Sequence, residues 1–267
     1  MYRQLSAALV RASAAALTLV LAPASVPPRA SAEQIQSGNL VMSVHGGVSP
    51  RRLPRTRQAP AAARLASRIS TTDGKPLPSV RRIEIGFGGG AAISPRGLPV
   101  CPASRLRNAT PAATLQRCGG ALVGRGTFPI ELQLPGQLPL RRETRALIFN
   151  GRGRNGGLAL WAHVFSAQPP VSFVLRFHIR KAPGPLASAL VAAVPRTISR
   201  WVRLEGFAIE LGRLYRRHGH PGSYLNASCP VPRPFTTGFF SFARITLAFS
   251  GDRQLSESIV RSCRVRP

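Results

Sequence analysis

Acidic side chains are nearly absent from this chain. Its 267 residues hold 9 Asp and Glu against 37 Lys and Arg, a formal charge of +28. Acid–base catalysis needs convergent titratable groups, and the supply is Asp73, Asp252, Glu33, Glu84, Glu131, Glu143, Glu205, Glu210 and Glu257. Asp73 and Asp252 sit in Gly-containing turns, where local turn hydrogen bonding accounts for them. Glu205 and Glu210 are an odd number of residues apart, so on one strand they face opposite sides. A paired-carboxylate glycosidase site therefore has no support. Lysine is almost missing too, with only Lys75 and Lys181. That Arg-for-Lys bias, with abundant Ala, Gly and Pro, also follows from codon supply in a GC-rich genome. Whatever its origin, such a surface attracts polyanions.

Other absences narrow the function further. There is no G-x-S-x-G elbow, Walker loop or H-E-x-x-H, and the glycines of "GFGGG" (86–90) lack both a following Lys-Ser/Thr and a helix. Cysteine is limited to Cys101, Cys118, Cys229 and Cys263, with no C-x-x-C and no Cys/His set at zinc spacing. After the first 32 residues no apolar run is long enough for a membrane helix. The expectation leans against an enzyme and includes no cofactor.

The N-terminus has the three parts of a secretory signal peptide. Arg3 and Arg11 precede the apolar run 12–22, and Ala30-Ser31-Ala32 is a small-x-small cleavage pattern. Residues 1–32 are read as that leader, and removing them takes the charge from +28 to +25. An even cysteine count in an exported chain reads as disulfides. Three pairings exist; nearest neighbours in sequence favour Cys101–Cys118 and Cys229–Cys263.

The exported part alternates like β-structure. "VSFVLRFHIR" puts Val171, Phe173, Leu175, Phe177 and Ile179 on one face and Arg176, His178 and Arg180 on the other. Asp73-Gly74 and the Asn-Gly pairs of "NGRGRNGG" (150–157) are hairpin signals. Thr110-Pro111 starts a short helix that ends at Cys118. The expected fold is an all-β sandwich of about ten to twelve strands with one short helix, stapled by disulfides. Residues 33–36 are expected to fray. Residues 37–267 are expected to form the sandwich, with a sub-boundary near 95–126 as an alternative division.

Candidate contacts are basic. Arg152 and Arg154 stand on a glycine loop, where a planar guanidinium suits phosphate or carboxylate; Arg51, Arg52, Arg216 and Arg217 extend the set. The competing reading is a solubilising charge run. His218 and His220 in "RRHGHPG" form a weak metal candidate that lacks a third ligand. The export route and the lack of evident exposed aromatics for base stacking disfavour nucleic acid. The expected partner is an anionic cell-wall polymer or a membrane surface.

"GLPVCPASRL", "CGGALVGRGTF", "LIFNGR", "FTTGFFSFARITLAF" and "SCRV" resemble a group of uncharacterised secreted proteins of actinobacteria. The resemblance spans most of the exported chain. It implies an extracellular β-rich domain and carries no activity. The expected function is a secreted, non-catalytic, envelope-associated binding protein. The alternatives are a hydrolase or carbohydrate-active enzyme with a dispersed site, or a structural interaction domain.

Overall fold

The computed structural model describes residues 32–95, 97–153, 155–182, 184–217 and 219–266. The expected leader, but for Ala32, therefore lies outside the described residues, as do Arg154 and His218.

Alternation of apolar and polar residues produces the strands. In chain order they are β1 (Glu33–Ser37), β2 (Leu40–Ser49), β3 (Arg52–Leu53), β4 (Ala59–Thr71), β5 (Val80–Gly88), β6 (Ala91–Ile93), β7 (Leu122–Leu132), β8 (Leu140–Arg152) and β9 (Leu158–Ala167). There follow β10 (Pro170–Lys181), β11 (Leu186–Ala193), β12 (Val202–Leu204), β13 (Gly206–Leu211), β14 (Leu214–Arg217), β15 (His220–Ser223), β16 (Leu225–Ala227), β17 (Thr237–Phe249) and β18 (Gln254–Val265). The helices are α1 (Pro111–Cys118) and α2 (Arg196–Ser199).

One sheet runs in the order β1-β2-β4-β13-β7-β8-β9-β10-β11-β5-β17-β18-β3. The pairs are antiparallel except β18–β3. The sheet curls until its ends meet through side chains. Arg261 of β18 pairs with Glu33 of β1 and donates to the carbonyl of Gly46 in β2. Buried residues from β5, β7, β8, β9, β10, β11 and β13, among them Ile85, Phe128, Ile148, Leu160, Phe177 and Ile209, surround a void of only about 10 Å³. The all-β architecture with its staples is what the alternation predicts. Its two layers come from one continuous sheet curled on itself.

Both disulfides form, Cys101–Cys118 and Cys229–Cys263. The first closes a flap between β6 and β7. Thr110 caps α1 by accepting from the Ala113 N–H at 3.3 Å, and Pro111 occupies the first turn. The flap lays Cys101, Leu106 and Cys118 on Leu147, Phe149 and Trp161, a small second core outside the main one.

Two sequence readings need correction. Residues 33–36 do not fray: they lie in β1, paired with β2 from Glu33↔Val44 to Ser37↔Leu40. Burial of Ile35 against the core and the Arg261–Glu33 pair hold them. Residues 204–211 are not one strand. Glu205 breaks it, its N–H bonding the Pro129 carbonyl and its own carbonyl accepting from Ile69. This shift lets β12 pair with β7 alone while β13 pairs with both β4 and β7. Helix α2 carries no apolar period that would announce it.

Candidate functional site

Strand directions sort the connections between two ends of the curled sheet. The register places Ser49, Gly88, Leu122, Arg152, Leu158, Lys181, Leu211, Thr237 and Val265 at one end. The segments joining strands there are 50–58, 89–121, 153–157, 182–185 and 212–236, and none contains an Asp or Glu. The nearest carboxylate is Glu210, one residue inside β13, and Arg64 neutralises it at 3.0 Å. Asp73, Glu205 and Asp252 all lie in connections at the opposite end.

The acid-free end gathers the described arginines that the sequence singles out, Arg51, Arg52, Arg152, Arg216 and Arg217. Parallel pairing sets Arg52 beside Arg264, and the Arg264 N–H bonds the Arg51 carbonyl. Like charges on neighbouring strands cost stability, and no carboxylate there offsets the cost. Arg51, Arg52, Arg152, Arg216, Arg264 and Arg266 are exposed, and none has an ion-pair partner among the described residues. Arg217 pairs with His220 through the β14–β15 main chain. Two arginines at this end are structural. Arg55 donates to the carbonyls of Val231 and Phe235, and Arg213 to those of Gly119, Gly120 and Leu122.

Five of the exposed large apolar side chains lie at the same end: Phe239, 80% exposed, Leu214, 72%, Phe235, 63%, with Val100 and Leu158; Leu138 and Trp201 are exposed at the opposite end. Phe239 shares its face of β17 with Thr237, whose cross-strand partner is Arg264. Sequence reasoning missed these residues. Inward and outward assignment of "TGFFSF" depends on a register shift between Ser241 and Ala243, which no periodicity reveals.

The opposite end holds a cleft of about 550 Å³ lined by Arg68, Lys75, Glu131, Arg141, Glu143 and Glu205 among others. Glu131 and Glu205 both lean on Arg141, at 3.5 and 2.9 Å. Gln133 donates to Glu131 at 3.1 Å. Glu205 and Glu210 do stand apart, but through the break at Glu205 and not through spacing along one strand: Glu205 turns into the cleft, while Glu210 lies in a separate shallow depression with Arg64 and Arg125.

None of the described histidines lines that cleft. His163 is fully buried beneath the flap, its Nε2 2.9 Å from the Ala109 carbonyl and 3.1 Å from Ser172 Oγ. Burial pushes its pKa down, partly offset by the Ala109 contact. His178 is exposed and pairs with Ala159, whereas His163 pairs with Val174, so the two stand apart along β10. No three His, Cys, Asp or Glu among the described residues are grouped to hold a metal.

Compared with models of known protein families, with curated proteins and with solved structures, the chain matches none.

Proposed function

We propose that this is an exported, non-catalytic binding protein that meets an anionic cell-envelope surface through its acid-free basic end. The proposal takes the chain as one of the secreted actinobacterial proteins it resembles. The observation that carries it is the segregation of charge. Codon supply can raise the arginine content of a chain, but it does not clear carboxylates from every connection at one end of a fold. Guanidinium groups without internal partners keep their donors for phosphate or carboxylate oxygens. Both disulfides fit an oxidising, extracellular compartment. No helix among the described residues is long and apolar enough to cross a membrane.

The test is retention on isolated envelopes of a high-GC Gram-positive bacterium across a salt titration. The expected result is retention that persists at physiological salt and falls about tenfold or more when Arg51, Arg52 and Arg264 become Ala. A matched triple change of Arg196, Arg200 and Arg253 at the opposite end leaves it intact. Equal loss from both triples would mean that only net charge matters, and the proposal would fail.

One observation favours a second reading, a carbohydrate-active site. Three of the nine carboxylates, Glu131, Glu143 and Glu205, line the cleft at the opposite end. Release of reducing ends from envelope glycans, abolished by Glu143→Gln and indifferent to the Arg51/Arg52/Arg264 change, would establish it.

A further inference from the structure

We infer that the acid-free end is a docking face for an anionic lipid bilayer, on which Phe235 and Phe239 enter the headgroup layer while the surrounding arginines meet phosphates. This rests on the proposed envelope binding and names the surface bound. Two independent features point the same way. The first is charge complementarity: Arg51, Arg52, Arg264 and Arg266 are exposed and unpaired, and no carboxylate lies in any connection there to repel an anionic leaflet. The second is the exposed phenylalanine pair. A phosphate-rich wall polymer can cover an 80% exposed phenyl ring only partly, through the C–H faces of its sugars, whereas the boundary between headgroups and acyl chains takes the whole ring out of water. Aromatic and aliphatic side chains set among basic ones are the composition of an interfacial anchor.

The fold presents these rings on fixed backbone. Phe235 lies on the segment between Cys229 and β17. The Cys229–Cys263 bond ties one end of that segment to β18. Arg55 holds the Phe235 carbonyl at 2.9 Å, and the Val265 N–H bonds the Thr236 carbonyl at 2.7 Å. Phe239 projects from β17 two residues from Thr237, the partner of Arg264, so ring and guanidinium share one face. Preorganised groups give up little conformational freedom when they bind. Neither ring belongs to the buried core, so both can be changed without opening a cavity.

The experiment uses the full chain expressed with both disulfides formed, and three binding partners. These are phosphatidylcholine vesicles, the same vesicles with one third phosphatidylglycerol, and soluble polyphosphate as a polyanion without a bilayer. Wild type is expected to sediment with the anionic vesicles and not with pure phosphatidylcholine. Phe235→Ala with Phe239→Ala is expected to weaken vesicle binding by about tenfold or more and leave polyphosphate binding unchanged. Changing Arg51, Arg52 and Arg264 to Ala is expected to weaken both. Vesicle binding indifferent to the double phenylalanine change would overturn the lipid assignment while leaving envelope binding through a polymer standing. Failure to bind either polyanion would overturn both.

Discussion

His163 is a residue whose chemistry is set by its neighbours. Neutral imidazole donates from Nε2 to the Ala109 carbonyl, and Nδ1 lies buried without a partner. Protonation would add a second donor there with nothing to accept it. Burial, only partly offset by the Ala109 contact, holds the folded pKa below the ordinary 6.5, so the unfolded chain binds a proton that the folded one refuses. Stability is fully present above pH 6.5 and declines as pH falls from there through the folded value. A thermal-midpoint series from pH 8 to pH 5 should show this decline, and His163→Leu should remove its part between pH 6.5 and 5. Gly151 makes a steric case of the same kind. A Cβ there would stand 2.0 Å from Trp161 Nε1, in an interior that has no room to give. Gly151→Ala should cost on the order of 1–3 kcal/mol in chemical denaturation, with a shift in tryptophan emission. An observed cost near zero would mean that the indole moves freely.

At the scale of elements, the flap is a lid of irregular chain made rigid by one bond and one cap. Thr110-Pro111 and the run to Cys118 were readable because capping and cysteine spacing are local signals. Breaking Cys101–Cys118 by a double Ser substitution should cost about 3 kcal/mol, mainly through the freed unfolded chain. Hydrogen exchange should rise over 101–121 and spare β2 and β4, because the flap's small core is separate from the main one. Uniform exchange across the sheet would contradict that separation. Strand β1 shows the reverse case, an element that local signals do not reveal. "EQIQ" offers one apolar residue, and it becomes a strand because Arg261, distant in sequence, reaches Glu33. Burial pushes the Glu33 carboxyl up, but the hydrogen bond and charge of Arg261 outweigh it and hold the pKa below 4.5. That contribution is present above pH 4.5 and is lost as pH falls. Protection factors over 33–37, which remove the intrinsic pH dependence of amide exchange, should fall in Glu33→Gln and, in wild type, on acidification below pH 4.5.

For the molecule as a whole, a chain of charge +28 repels itself, and the carboxylates that could relieve it are withheld from one end. Sodium chloride should therefore raise the melting temperature by screening, and Arg51→Glu with Arg52→Glu should raise it at low salt while weakening retention on anionic surfaces. A melting temperature that falls with added chloride would show that ion pairs, not repulsion, dominate. The linear order of residues was enough for the all-β character and the helix 111–118, because alternation and caps act between near neighbours; it favoured one of three cysteine pairings, and the fold selected that one. It grouped Arg51, Arg52, Arg152 and Arg216 as one basic set but could not say where in the fold they would meet. Their meeting at one end, the absence of carboxylates around them and the exposure of Phe235 and Phe239 follow from strand direction and register. Those are decided by pairings as remote as β3 with β18 and β1 against β18, where burial of a shared core, and not local preference, selects the partner.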